Sequence, residues 1–79
     1  MKGELVILRT YGGQPLVRRV FEITDKAVFV TDDARKDGLI SVGIPRDDVF
    51  EYDPNLAANA DQLFKSGKWD WKKLKPFKV

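Results

Sequence analysis

Six lysines and three aromatic rings interleave in the last fifteen residues: Lys65, Lys68, Lys72, Lys73, Lys75 and Lys78 with Trp69, Trp71 and Phe77. Ammonium groups beside flat rings suit single-stranded nucleic acid, where cations meet phosphates and each stacked base contributes ~1–3 kcal/mol. The same pattern suits an anionic lipid surface, with indoles at the interface. It also suits plain architecture, in which Trp69, Trp71 and Leu74 cover apolar surface and the lysines form a solvated rim. Fully burying each large apolar side chain contributes ~1.5–3 kcal/mol. A domain with only ~5–10 kcal/mol of net stability can rarely leave two tryptophans idle. Cover is therefore the expectation, with nucleic acid as the rival.

Other candidate chemistry is thinner. Asp32, Asp33 and Asp37 share one stretch and Asp47-Asp48 another, but Arg35 and Lys36 interrupt the first. A hard cation needs several oxygens from one loop at fixed spacing, and that order is not met. With no His and no Cys, the commonest general base, the commonest metal ligand and any thiolate site are missing together. No nucleophile stands beside a base. The expectation is a chain that is not an enzyme and carries no cofactor or metal. Gly12-Gly13 lacks the length and following helix of a phosphate-cradling loop, and reads as a hairpin turn. Arg9, Arg18 and Arg46 are the anion-contacting candidates ahead of the tail, and Tyr11 stands at the shoulder of the glycine turn. Guanidinium groups interleaved with apolar side chains resemble an interface, and equally the rim of a covered sheet.

The charge is uneven. Residues 1–64 hold eight Lys/Arg against eleven Asp/Glu, net −3, whereas residues 65–79 hold six Lys against one Asp, net +5. A basic tail on an acidic body is drawn to its own domain or to a polyanion. Seventy-nine residues, 43% of them apolar and nine of them aromatic, make one small globule. No apolar run approaches a membrane span and the start has no leader-like apolar segment, so a cytoplasmic setting is expected.

The elements that must position these groups are mostly strands. Glu4–Thr10 and Pro15–Thr24 flank Tyr11–Gln14. Asp25-Lys26 links to Ala27–Thr31, Leu39–Ile44 alternates, and Pro45–Asp48 allows one turn of 3₁₀ helix before Val49–Tyr52. The first ribbon is apolar on both faces. Pairing around the glycines puts Val6, Leu8, Val17, Phe21 and Ile23 on one side, and Leu5, Ile7, Leu16 and Val20 on the other. Val28 and Val30 then join the first face through Phe21 opposite Val30 and Ile23 opposite Val28, while Glu22 opposite Phe29 puts Phe29 on the second. Arg19 is a misfit, which suggests a bulge at Arg18-Arg19 or an Arg at the rim. Arg9 and Arg18 share the second face. Since a strand alternates, one core cannot absorb both faces, and something must cover the second.

The helix signal runs from Asp53 as N-cap, through Pro54 at the first position, to Gly67 as the stop. Leu56, Ala60, Leu63 and Phe64 form its apolar stripe. Residues 68–79 read as a short helical turn from Asp70 ended by Pro76, or as an extended arm.

The strand order, with a one-turn link before a short last strand, resembles small SH3-like barrels, and closure would hide the sheet edges. Gly43-Ile44-Pro45-Arg46-Asp47-Asp48-Val49 resembles the Gly-x-Ile-Pro-x-x-x-Val pattern before the last strand of peptide-binding SH3 domains, allowing one residue of spacing. The acidic and aromatic motif of their proline-peptide groove is missing, since the first strand reads Leu5-Val6-Ile7-Leu8. The resemblance therefore implies a barrel and not its ligand. A barrel with a C-terminal helix is also similar to small archaeal chromatin proteins, whose lysine-dense sheet is absent here.

The expected architecture is mainly β: a five-stranded SH3-like barrel over 1–52, a C-terminal helix over 53–67, and a short basic aromatic arm over 68–79 packed on the barrel. The expected role is a non-catalytic binding module for another protein or peptide, with nucleic acid as the alternative partner. The candidate surface comprises Arg9, Tyr11, Arg18, Arg46, Lys68, Trp69, Trp71, Lys72 and Lys73.

Overall fold

The computed structural model describes residues 3–31 and 41–77. The acids Asp32, Asp33 and Asp37, the strand residues Leu39 and Ile40, and Lys78 lie outside the described residues.

Five antiparallel strands form one sheet in the order β4-β3-β2-β1-β5, with β1 Leu5–Arg9, β2 Pro15–Ile23, β3 Ala27–Thr31, β4 Ser41–Pro45 and β5 Val49–Glu51. The β1–β2 turn uses Gly12 at φ 87° and Gly13 at φ 82°, a region in which other residues are strained. Thr10 joins the loop side of the turn, its N–H donating to the Gln14 carbonyl at 3.1 Å. The connection is thus one residue shorter than a Thr10–Pro15 pairing would make it. A one-residue change of register reverses every side chain of the partner strand. The ladder sets Ile7 opposite Val17 and Leu8 opposite Leu16. Val17 therefore lies with Ile7 on the outer face, and Leu16 and Val20 lie with Leu8 and Val6 inside, the reverse of the sequence expectation.

A second irregularity restores the phase. The β2–β3 register shifts between Val20 and Glu22, with Val20 opposite Val30 and Ile23 opposite Val28. The bulge falls at Phe21 rather than at Arg18-Arg19, and it throws Phe21 into solvent at 51% exposure. Glu22 opposite Phe29 and Ile23 opposite Val28 stand as the sequence predicts. Arg19 is no misfit, because its partner Leu5 is on the outer face and its guanidinium donates to the Gly3 carbonyl.

The inner core draws on all five strands, with Val6, Leu8, Val20, Val28, Val30 and Val49 buried and Leu16, Ile23, Ile44 and Phe77 packed around them. The β4 strand contributes Ile44, and on its other face Phe29 lies across Gly43, where an added Cβ would stand 3.0 Å from the ring. The 3₁₀ turn Arg46–Asp48 links β4 to β5 as expected.

The sheet curls without closing into the expected barrel. The β5 strand pairs with β1 along one edge, and its other edge receives the C-terminal segment. Glu51 N–H donates to the Lys75 carbonyl at 2.8 Å and Phe77 N–H to the Val49 carbonyl at 3.0 Å, around a Phe50–Pro76 bridge. That edge cannot also pair with β4. Pro76, with no N–H, blunts what the arm leaves open.

The Asp53 carboxylate accepts from the N–H groups of Asn55 at 2.9 Å and Leu56 at 3.2 Å, capping the helix that starts at Pro54. The single expected helix is two, α1 Pro54–Ala58 and α2 Ala60–Lys65, broken at Asn59. The Asn59 side chain donates to the Asn55 carbonyl at 3.1 Å, a local bond that competes with the helical ladder. The end is as predicted: Gly67 at φ 74° donates to the Phe64 carbonyl, and Lys68 N–H to the Leu63 carbonyl, the paired bonds of a glycine-terminated helix.

Candidate functional site

The outer face of the ribbon is covered by the chain itself. Ile7, Phe50 and Leu74 are buried there, with Val17, Leu56, Ala57, Trp69 and Trp71 packed around them. Asp70 starts the turn that delivers Trp71: its carboxylate accepts from Lys72 N–H at 2.9 Å and caps the 3₁₀ helix Trp71–Lys73. Of the two readings of the tail, a turn from Asp70 and an extended arm, each describes a part, since residues 75–77 lie along β5.

Trp71 is the centre of this cover. Its ring lies 4.8 Å from Phe50 and 5.2 Å, edge-on, from Trp69. Its indole N–H donates to the Gly13 carbonyl at 3.0 Å, which ties the hairpin tip to the arm. Arg9 closes the group from the side. The guanidinium carbon stands 5.1 Å from the Phe50 ring centre and 5.7 Å from that of Trp71, while Nε donates to Asp48 at 3.0 Å and a terminal nitrogen to the Asp47 carbonyl at 3.0 Å. Cation–π contact contributes roughly 0.5–1 kcal/mol at such partly exposed sites. The Trp69 indole N–H is buried with no hydrogen-bond partner among the described residues.

The nine candidate residues do not form one surface. Arg9 and Trp71 meet where the β1–β2 tip, which carries Tyr11, touches the arm; Trp69 lies behind Trp71, Lys72 and Lys73 follow Trp71 in the 3₁₀ turn with Lys73 beside Glu51 and Asp53, and Lys68 lies along the helices with Asn55 and Asn59. Arg18 leaves this group. It pairs with Val6 on the inner-face side, opposite to Arg9, and donates to the Val17 carbonyl. The sequence register had placed the two arginines together, and the shortened turn separates them. Arg46 is at the far hairpin, donating to the Asp25 carbonyl at 3.2 Å.

Sequence reasoning missed Phe50 and Asp48. Phe50 was legible, since Val49 faces in and its neighbour on a strand must face out. Asp48 was not, because its contact with Arg9 depends on where the 3₁₀ turn brings β5 back beside β1.

What the β1–β2 tip presents to solvent is Tyr11, at 105% exposure, while Lys72 and Lys73 are exposed further along the arm. Among the described residues no group of three or more His, Cys, Asp or Glu side chains could hold a metal ion, and no helix is long and apolar enough to cross a membrane. No protein-family model, no curated protein and no solved structure matches the chain.

Proposed function

We propose that this chain is a small non-catalytic binding module that meets its partner with the corner formed by the β1–β2 tip and the arm. One observation carries the reading: Tyr11 is wholly exposed on a turn fixed by the Trp71–Gly13 hydrogen bond and by the Thr10 hydroxyl, which donates to the Gln14 carbonyl at 2.8 Å. An aromatic ring can bury about 150–250 Å² on contact. Held on a rigid turn it loses little freedom when it does so, which favours binding. The sheet order and the 3₁₀ link between β4 and β5 support an SH3-like architecture, opened at one seam by the arm. The exposed Tyr11 and, at the tip's base, the half-buried Arg9 suit a protein partner. The packing of both indoles against the outer face speaks against a nucleic-acid mode that stacks bases on Trp69 and Trp71.

Photo-crosslinking in cells of the source organism tests this. A benzoylphenylalanine is placed at Tyr11 or, as a control, at Phe21, another exposed ring, about 20 Å further along β2 by strand rise. Adducts from position 11 and not from position 21 are expected. Adducts from 21 alone, or none from either, refute the corner as a binding surface.

A further inference from the structure

The arm takes the outer edge of β5, which leaves β4 as the open edge of the sheet among the described residues. The neighbouring ladders fix which of its backbone groups face outward. The Ala27 carbonyl accepts from Thr24 N–H at 2.9 Å, so Ala27 turns towards β2 and the next residue, Val28, towards β4. Val20 donates to the Glu4 carbonyl and accepts from Gly3 N–H, which turns its partner Val30 towards β4 as well. Opposite Val28 and Val30 stand Ile44 and Val42, whose backbone groups therefore close the β3–β4 ladder. Ser41, Gly43 and Pro45 point away from the sheet. They present two N–H groups, from Ser41 and Gly43, and a carbonyl each. Pro45 has no N–H, and on this side the ladder loses nothing by it.

This edge lacks the usual protection. Sheet edges are commonly guarded by charged side chains or bulges, and Ser41–Pro45 has neither. Val42 is instead 45% exposed, on the same face as half-buried Ile44. A second copy of the same edge fits it. In an antiparallel pair about a two-fold axis at Gly43, the two glycines exchange both hydrogen bonds. Each Ser41 N–H then reaches the Pro45 carbonyl of the other copy. Val42 falls opposite Ile44 of the other copy in the close, non-bonded positions, about 4.5 Å apart at Cα. Apolar meets apolar there, and no like charges oppose each other. On the other face the glycines leave room at the axis, and each Phe29 ring, lying across its own Gly43, approaches its counterpart.

We propose that β4 pairs antiparallel with β4 of a second copy, so that one sheet runs through both. Two five-residue strands cover less than the ~1,200 Å² of a stable complex, which makes this a weak dimer that forms and parts. β3 pairs with the half of β2 remote from the glycine turn, so both Tyr11 tips stay open and the dimer is bivalent.

Sedimentation equilibrium of the intact chain from about 10 µM to about 1 mM should show monomer passing into dimer. Amide hydrogen exchange by NMR locates the contact: Gly43 should gain protection with concentration, whereas Val42 and Ile44, already bonded to β3, should not change. Ser41→Pro removes an outward N–H from each copy and should weaken the dimer at least about fivefold. Val42→Lys should hold the chain monomeric throughout the range, and Tyr11→Ala should leave the dimer unchanged. The chain has no cysteine, so introduced thiols report the register. Val42→Cys mixed with Ile44→Cys should cross-link on mild oxidation, while either alone faces a diagonal of about 7–8 Å and should not. Should Ile44→Cys fail to fold, the Gly43 amide of the unaltered chain decides. A monomer at every concentration overturns the proposal. So does a dimer that Val42→Lys and Ser41→Pro leave intact, or cross-linking by one cysteine variant alone. Loss of the dimer in Tyr11→Ala also overturns it, by moving self-association to the tip.

Discussion

Trp71 should be the most costly residue to lose in the C-terminal third. Trp71→Ala removes a ring that touches Phe50 and Trp69 and closes the outer core over Ile7. Replacing a core Trp or Phe with Ala costs about 3–5 kcal/mol, and the partial exposure of Trp71 sets the cost near the lower end. The hydrogen bond to Gly13 adds roughly 0.5–1.5 kcal/mol. The sum is about 3.5–4.5 kcal/mol. For 79 residues a total of about 4–12 kcal/mol is expected, so this one change removes a quarter or more of the stability. At about 4–8 °C per kcal/mol for a domain this small, the midpoint falls by at least about 14 °C.

Urea unfolding followed by far-ultraviolet circular dichroism measures this without relying on the deleted fluorophore. The midpoint should move while the slope stays constant, since the same surface is exposed on unfolding. Trp71→Phe keeps a ring on Phe50 and loses the indole N–H, so it should cost only about 1–2 kcal/mol. A Trp71→Ala protein within about 1 kcal/mol of the parent would refute the claim that the arm is structural cover, because a ring lying loosely on the surface is cheap to remove.

Two further changes address the same architecture. Truncation after Gly67 strips Trp69, Trp71 and Leu74 from the outer core and bares the β5 edge that Lys75 and Phe77 occupy; the product should lose cooperative thermal unfolding and aggregate, and a monomer with a sharp transition by calorimetry and sedimentation would contradict this. Gly43→Ala puts a Cβ 3.0 Å from Phe29 Cε2 and should cost about 1–3 kcal/mol by overpacking, with most of the penalty relieved in a Phe29→Leu background; a neutral single variant in urea unfolding would show that the ring gives way freely.

The errors in reading the sheet have a common physical origin. Strand composition made the β-ribbon plain, but which face each residue takes depends on the parity of the loop, and Tyr-Gly-Gly-Gln accommodates either parity. Closing at Thr10–Gln14 instead of Thr10–Pro15 exchanged Leu16 with Val17 and parted Arg18 from Arg9. The bulge at Phe21 then brought Ile23 back to the inside, which is why the second hairpin was read correctly from an incorrect first one. Local signals did better where one residue suffices to decide. Asp53, Pro54 and Gly67 mark the helix ends through their own geometry. Asn59 breaks the middle through a bond four residues back, and nothing in the apolar stripe reveals it. Barrel closure was the least legible feature, because it turns on a competition: the arm reaches the β5 edge, and β4 does not.

The tail shows why residue type alone left the site ambiguous. Rings and lysines in alternation describe a cover and a ligand surface equally well, and the structure divides them by direction. Extended backbone around Asp70 sets Trp69 and Trp71 on the same side, two residues apart, and the capped turn after it sends Lys72 and Lys73 outward. The packing that stabilises the sheet is thus what fixes the tip that carries Tyr11, through the Trp71–Gly13 hydrogen bond. Stability and any binding at this corner are coupled through Trp71, so its loss would abolish both and identify neither. Only the exposed residues separate them. Affinity lost in Tyr11→Ala at an unchanged melting temperature belongs to the surface, whereas affinity lost in Trp71→Ala belongs to the fold.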